Sequence, residues 1–318
     1  MQLFLKKMKV LLLGHTGFVG QNVYNELIKN QNNEVIGKSR SNGFDLFNLE
    51  NVCLILEEIK PDIIINCAAH VGSLNFVTQI AADILDDNMR MILNLYKAIQ
   101  QTTSTSVVIN PVANCAFPGN LTEYNEEFLW SGKVHQSVLA YGSTRRMLDI
   151  FAECYKMQYG IKSIQLYVPN MYGPYDSTDP NKAHALNALV GKVVKANYNQ
   201  INEIEVWGSG IAIREWLYAP DFGRVLDQII CNLDTIHYSE PFNIAQNFGL
   251  SISDLLNIIT TECNFKGIIN WDRTMPDGAP RKVMVDTRFK KNFPSFVFTP
   301  LQQGLKTTVN YYSSQLPY

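Results

Sequence analysis

One stretch limits the possible folds of this chain more than any other: Met8–Gly20, MKVLLLGHTGFVG. Val10–Leu13 is a short apolar run, the pattern of a strand buried on both faces of a parallel sheet. It runs into Gly14, Gly17 and Gly20, and Phe18, Val19, Val23, Tyr24, Leu27 and Ile28 then fall at helical spacing. Strand, glycine turn and helix make the first unit of a dinucleotide-binding fold. In such a unit Gly14 permits the tight turn, Gly17 lets backbone approach a diphosphate, and Gly20 lets the helix pack on the strand. The helix start then offers free N–H groups and a positive dipole end. The spacing is GxxGxxG rather than the strict GxGxxG. Its place directly after the first strand gives it weight, and Thr16, Phe18 and Val19 join the expected coenzyme contacts.

The chain has 318 residues, 46% hydrophobic and 18% charged, enough to bury a substantial core in one large domain or two unequal ones. A formal net charge of −2 gives no electrostatic reason for a nucleic-acid or anionic-membrane partner. The apolar runs are too short to span a bilayer, and the basic N-terminal MQLFLKKMKV lacks the long apolar core of a signal peptide. Cys53, Cys67, Cys115, Cys154, Cys231 and Cys263 form no CxxC pair. They are expected to be reduced thiols of a cytosolic protein, mostly buried as small hydrophobes. No spacing of His, Cys, Asp and Glu points to a metal.

Further along, Glu34–Gly37 has the pattern of a second strand, and Gly37-Lys38-Ser39-Arg40 follows with no acid to bond an adenosine ribose 2′-hydroxyl. Cations there, with Ser39, favour NADP over NAD; the alternative is that Lys38 and Arg40 are solvated loop charges. A short extended piece precedes Phe44-Asp45-Leu46, where Asp45 bonds an adenine amine or caps the helix starting near Asn48, with Leu46 beside it. Ile63–Ile65 is another buried strand, opening into Asn66-Cys67-Ala68-Ala69-His70. Small residues such as Ala68 and Ala69 let backbone pass close to a ligand. A long helix around Gln79–Gln101 carries Ile80, Ile84, Leu85, Ile92, Leu93, Tyr96 and Ile99 on one face and includes Asn88. Val107–Ile109 is the next strand, with Asn110–Pro118 as its outgoing loop. Tyr141 and Arg145 lie four apart at the head of a helix and share a face. After the strand Ile164–Val168 the alternation of strand and helix loosens.

This order of motifs resembles the extended short-chain dehydrogenase/reductases, and within them the GDP-L-fucose synthase (GDP-4-keto-6-deoxymannose epimerase/reductase) family. The residues that carry the resemblance are GHTGFVG, NCAAHVG, DNMRMILNLYKA, NCAFP, YGSTR, PNMYGPYD, NKAHALNAL, VWGSGIAIREWLY and MPDGAPRKVMVD, spread over nearly the whole chain. The resemblance implies an α/β fold, a Rossmann-type doubly wound parallel sheet with a smaller C-terminal substrate-binding lobe. Residues 1–170 would form the NADP-binding domain, with chain returning from about 206–245, and 171–318 the sugar-nucleotide lobe.

It implies NADP(H) as coenzyme and a nucleotide-linked, GDP-type 4-keto-6-deoxy sugar as substrate, reduced at C4, epimerised at C3 and C5, or both. Tyr141 matches the catalytic tyrosine that protonates the C4 alkoxide; a free phenol has a pKa of about 10 and needs a nearby cation to work near neutrality. The family's lysine falls on Arg145, which keeps the charge and a bond to the nicotinamide ribose but cannot release a proton. The family's serine falls on Ala113, which has no donor, and Asn114 is the neighbouring candidate to supply one. Cys115 matches the base of epimerisation and His184 the acid. Asn170, His184, Lys192, Trp207, Arg214 and Arg281 match sugar-nucleotide contacts, where guanidinium forks suit phosphate oxygens. The alternatives are a 4-epimerase or dehydratase that retains its NAD(P), and a catalytically weakened sugar-nucleotide-binding protein. The resemblance also implies a homodimer made by the helices near 80–100 and 141–158.

Overall fold

The computed structural model describes residues 7–103, 105–179, 182–235, 240–275 and 277–318. Asn181 of NKAHALNAL, Pro276 of MPDGAPRKVMVD and the first six residues of the basic N-terminal segment lie outside the described residues.

Six strands make the main sheet: β1 (Met8–Leu13), β2 (Asn33–Lys38), β3 (Ile63–Asn66), β4 (Val107–Ala113), β5 (Ser163–Val168) and β6 (Phe242–Asn243). Their order is β2-β1-β3-β4-β5-β6, with every neighbour parallel. The winding direction reverses between β1 and β3, the crevice where open α/β sheets bind ligands. The main helices are α1 (Phe18–Leu27), α2 (Leu49–Ile59), α3 (Ala81–Thr102), α4 (Leu139–Tyr159), α5 (Ala185–Tyr198), α6 (Ala219–Cys231), α7 (Ile252–Glu262) and α8 (Leu301–Ser314).

Successive strand residues point to opposite faces, so β1 feeds two cores. Val10 and Leu12 pack with Val23 and Leu27 of α1 and with Phe222 and Leu226 of α6. Leu11 and Leu13 pack on the other face with Leu56 of α2, Ile92 and Tyr96 of α3, and Leu148 of α4. This is the doubly wound α/β sandwich the glycine turn implied. A separate core joins Leu186 and Val190 of α5, Leu255 and Ile259 of α7, and Leu305 and Tyr312 of α8.

The second lobe has small sheets of its own. Glu203–Trp207 pairs in parallel with Ile268–Asp272, and the chain packs into the main core again from Leu217, just before α6. Thr287–Asn292 also packs there through Phe289. Glu123–Tyr124, early in the chain, pairs with Arg281–Met284, which in turn pairs with Ile213–Arg214. That chain crossing ties the two parts of the molecule together next to the site.

Several local expectations change. No strand lies between β2 and Phe44; Arg40–Asn42 is a 3-10 turn whose Ser39 and Asn42 cap each other, a local bonding pattern that competes with extension. Ile80 (φ −114°, ψ 42°) separates a short helix, Leu74–Gln79, from α3. On α3, Ile84, Ile92, Tyr96 and Ile99 are buried, but Leu85 and Leu93 are exposed, because each lies about 100° around the helix from its neighbour. β4 runs on to Ala113 instead of ending at Ile109; beyond Ile109 its partner among the described residues is β5, on one side, and a strand open on the other side accepts Pro111. All six cysteines are unpaired, yet only Cys263 is fully buried, while Cys154 and Cys231 are exposed. Among the described residues no helix is long and apolar enough to cross a membrane.

Candidate active site

The glycine turn is built as a cradle. Gly14 has φ +72°, and a Cβ on it would lie 2.9 Å from the Ala68 nitrogen. Its N–H donates to Lys38 O (2.8 Å) and Cys67 N–H donates to Leu13 O (3.0 Å), so the turn is held from both neighbouring strands. At Gly20 a Cβ would sit 2.1 Å from Gly14 O, whereas at Gly17 it would meet only Gly14 O, at 3.3 Å, and otherwise open space. Gly20 therefore closes the turn on the helix, and Gly17 keeps the outer side clear. No side chain caps the start of α1, and its first turn carries no acid. A diphosphate fits this end: uncapped N–H groups, the positive helix end and no side chain at Gly17. Thr16 and Gly17 are exposed, Val19 is half-buried, and Phe18 is buried beneath them.

Beyond β2, Ser39 is buried and its hydroxyl lies 2.8 Å from that of Ser41, while Arg40 is exposed. The place past the second strand therefore offers two hydroxyls and a guanidinium, a set that fits an adenosine 2′-phosphate. Asp45 accepts the Phe47 N–H (3.0 Å), and the cap of α2 is Asn48, which accepts from Asn51 N–H (3.1 Å). Leu46 is buried and its carbonyl accepts from Asn94 (2.9 Å).

Tyr141 and Arg145 meet on the first turns of α4, with the guanidinium 5.3 Å from the ring centroid. Arg145 is 3% exposed; its Nη2 donates to Asn88 Oδ1 at 2.9 Å and its Nε is without a partner. Asn88 is fully buried and its amide is saturated. Oδ1 also accepts the His70 N–H (3.2 Å), and Nδ2 donates to His70 O (2.9 Å) and Ile84 O (2.8 Å). It therefore reaches a coenzyme only through Arg145 and the Ala68–His70 segment that it holds. The Tyr141 phenol is pushed up to about 12, chiefly by burial and further by the Cys115 thiol, with the Arg145 charge opposing both.

The turn Asn114–Ala116 abuts this helix. A Cβ on Gly142 would lie 2.5 Å from Cys115 O, so the glycine in YGSTR is what lets the tyrosine helix close on the cysteine. Arg146 ties the same turn down, with Nε donating to Ala116 O (2.8 Å) and Nη1 to Gly132 O (2.9 Å). Asn114 is buried, with Nδ2 unpartnered. Ala113 ends β4 and is half-buried. Burial pushes the Cys115 thiol up to about 11, against the pull of Lys282 and Arg145. Lys282 was not singled out in the sequence; the weight in PRK fell on Arg281. Burial lowers the Lys282 pKa, Cys115 opposes that, and Arg214 adds to it, so its charge partners are the thiol and another cation.

In the second lobe, Asn170 opens a strand paired at Trp216. His184 caps α5; its ring packs 5.0 Å from that of Phe18, bringing it beside the glycine cradle, and its Nδ1 lies 3.1 Å from Asp176. Its ring contacts are Phe18 and Asp176. Arg214 donates from Nη2 to Asp277 O (3.1 Å), and the Asp277 carboxylate is held below its usual range by two bonds from Ser209. Trp207 is exposed at the end of its strand. Lys192 bonds Glu205 O (2.8 Å) at the rim of a cavity of ≈ 330 Å³ that also borders Tyr312 and Tyr318, and Arg281 donates to Thr122 O (3.0 Å). Arg281 is thus partly committed to backbone.

The profile of the NAD dependent epimerase/dehydratase family matches residues 10–245. A GDP-L-fucose synthase of Dictyostelium discoideum is 26% identical over 310 residues, covering 96% of this chain and 95% of its own. The crystal structure of a GDP-L-fucose synthetase from Naegleria fowleri has a TM-score of 0.86 at 26% identity, covering 98% of this chain and 95% of that one. Its NADP-bound form has a TM-score of 0.82 at 26% identity, covering 98% and 94%.

Proposed function

Because this chain belongs to the NAD dependent epimerase/dehydratase family, we propose that it is an NADP(H)-dependent enzyme of deoxysugar biosynthesis that epimerises a GDP-linked 4-keto-6-deoxy sugar at C3 and C5 and reduces it at C4. The observation that carries this reading is the closure of the Tyr141–Arg145 pair on Cys115, made possible by Gly142, beside the glycine cradle. The relatives named above, one of them NADP-bound, support the substrate and coenzyme.

Gly14, Gly17 and Gly20 would hold the diphosphate of NADP(H), and Ser39 and Arg40 its 2′-phosphate. When bound, its nicotinamide supplies the reducing equivalent for C4. Tyr141 gives the proton that completes the alcohol, and Arg145 provides a fixed positive charge that favours the phenolate left behind. Cys115 and His184 form the proton-transfer pair for C3 and C5, carbons made acidic by the adjacent ketone. Arg214 and Arg281 face the diphosphate of the sugar nucleotide.

Two copies join through α3 and α4, where Leu85, Leu93, Ile150 and Met157 are exposed. Six unpaired thiols suit the cytoplasm. The enzyme reading is tested by mixing protein, NADPH and GDP-4-keto-6-deoxymannose. The expected result is one coenzyme oxidised per sugar reduced; no oxidation and no change in the sugar contradicts it. Light scattering tests the dimer, with a monomer as the contrary result.

A further inference from the structure

Arg145 and Arg146 are neighbours near the start of α4, about 100° apart around the helix, so they reach different parts of the molecule. Arg145 donates to Asn88. Arg146 turns to the other side. Its Nε donates to Ala116 O (2.8 Å) and its Nη1 to Gly132 O (2.9 Å), while the guanidinium lies 5.2 Å from the centre of the Trp130 ring. One planar group with several fixed donors thus joins three segments: α4, the turn after β4 and the chain around residue 131.

The two carbonyls stand at the two ends of one excursion. β4 ends at Ala113, the turn Asn114–Ala116 follows, and the chain then runs through residues 117–131 before it meets α4 again. The base of this excursion is closed by the Gly119 N–H donating to Lys133 O (2.9 Å) and by a bridge between Pro118 and Val134. Within it, Glu123 and Tyr124 pair with Val283 and Met284, next to Lys282. Arg146 therefore holds both the cysteine turn and the return of the loop that binds the neighbouring strand.

Cys115 sits at that base, half-buried. The Asn114 carbonyl accepts the Phe117 N–H (3.1 Å). The Cys115 carbonyl is packed against Gly142, where a Cβ would lie 2.5 Å away, and the Ala116 carbonyl is bonded by Arg146. With three consecutive peptide planes held, rotation about its own Cα–Cβ bond is the main freedom left to the thiol. The cations beside the thiol are Lys282 and Arg145, whereas the charge neighbour of Arg146 is Asp149, itself bonded by the Tyr167 hydroxyl. Arg146 thus reaches Cys115 through the backbone rather than through its charge.

We infer that Arg146 is a positioning residue for Cys115: by bonding the carbonyls at both ends of the excursion, its guanidinium fixes the direction of the thiol, with Trp130 covering the fork. The inference rests on the reading of Cys115 as a proton-transfer group of epimerisation.

The test is R146K, which keeps the charge and loses the two-pronged fork. Alkylation by iodoacetamide is followed by mass spectrometry for the Cys115 and Cys263 peptides separately. Deuterium uptake at C3 and C5 of GDP-4-keto-6-deoxymannose is followed by NMR with NADP⁺ present, and the Kd of NADPH by fluorescence. Cys115 alkylation is expected to rise about fivefold as the turn loosens, and uptake to fall about 10- to 100-fold as the thiol loses its direction. The Kd should stay within about twofold of wild type, and the buried Cys263 should react no faster. W130A leaves both carbonyl bonds in place and should raise Cys115 alkylation by about twofold only. Wild-type alkylation and uptake in R146K overturn the assignment. So does a general loosening, in which Cys263 alkylation and the NADPH Kd rise together with Cys115 alkylation. If R146K does not fold, W130A decides: faster Cys115 alkylation supports the assignment and a wild-type rate overturns it. No uptake by the wild type overturns the epimerase reading, and the alkylation of R146K still decides whether Arg146 holds the cysteine.

Discussion

The two chemical ends of the site are held by different kinds of partner. Tyr141 and Arg145 stand on a long helix packed against the main sheet, and the cation is fixed by the neutral amide of Asn88. His184 stands at the start of a lobe helix, and its ring is fixed by the carboxylate of Asp176. A guanidinium held by an amide is a permanent charge; it steadies an anion but passes no proton on. An imidazole held by a carboxylate has one nitrogen committed and one free to take and release a proton. The site therefore sets a fixed positive charge beside Tyr141 on the sheet side and a carboxylate-bonded imidazole on the lobe side.

The largest effect that sharpens this contrast is expected from Y141F. Coenzyme oxidation should fall roughly 10³-fold while deuterium uptake at C3 and C5 stays within about threefold of wild type, measured by absorbance and NMR on the same samples. Parallel losses in both would break the separation. Next is N88A, which strips Arg145 of its bonded partner and leaves the His70 backbone groups unpaired. Oxidation should drop about 10- to 100-fold and urea unfolding should show a loss of roughly 3 kcal/mol. Unchanged kinetics would mean that Arg145 is not what Asn88 positions. A113S adds a hydroxyl at the end of β4 and should raise the rate of coenzyme oxidation about 10-fold with uptake unaltered; no gain would show that the sheet side already has its donors.

The smallest effect concerns the lobe itself. Glu215 is 1% exposed and accepts the N–H groups of Gln246 (2.7 Å), Asn247 (3.1 Å) and Met284 (2.7 Å). Burial nevertheless raises its pKa from 4.5 to about 7. A carboxyl raised on folding binds more protons folded than unfolded, so its contribution is present in full below its unfolded pKa and is lost as pH climbs through the folded value. The stability of wild type relative to E215Q should therefore fall between about pH 4.5 and 7, by roughly 1–3 kcal/mol in denaturant melts. A pH-independent difference would contradict the burial-dominated shift.

The sheet side was legible in the sequence to a far greater extent than the lobe side, for a physical reason. Gly14, Gly17 and Gly20 act within a few residues of one another, and Tyr141 and Arg145 are one helical turn apart, so spacing alone expresses their geometry. The partners of the lobe side are distant in sequence or irregularly spaced. Asp176 meets His184 across eight residues with no regular spacing, and Lys282 faces Cys115 only because Arg281–Met284 pairs with Glu123–Tyr124 and Ile213–Arg214. Asn88 stood out in the sequence as a candidate, but its bonding did not, since the saturation of its amide depends on three separate segments. Glu215 lay unremarked beside Arg214 because nothing local distinguishes a buried acid from a solvated one.

The most direct test of the division between the two ends is a crystal structure of the chain with NADP⁺ and a GDP-linked 4-keto sugar. The coenzyme diphosphate should lie on the backbone of Gly17–Gly20, with the Tyr141 hydroxyl within hydrogen-bond reach of the C4 oxygen and His184 Nε2 facing C3 or C5. A ternary complex with Tyr141 turned away from C4, or with the coenzyme bound anywhere other than at the exit of β1, would contradict it.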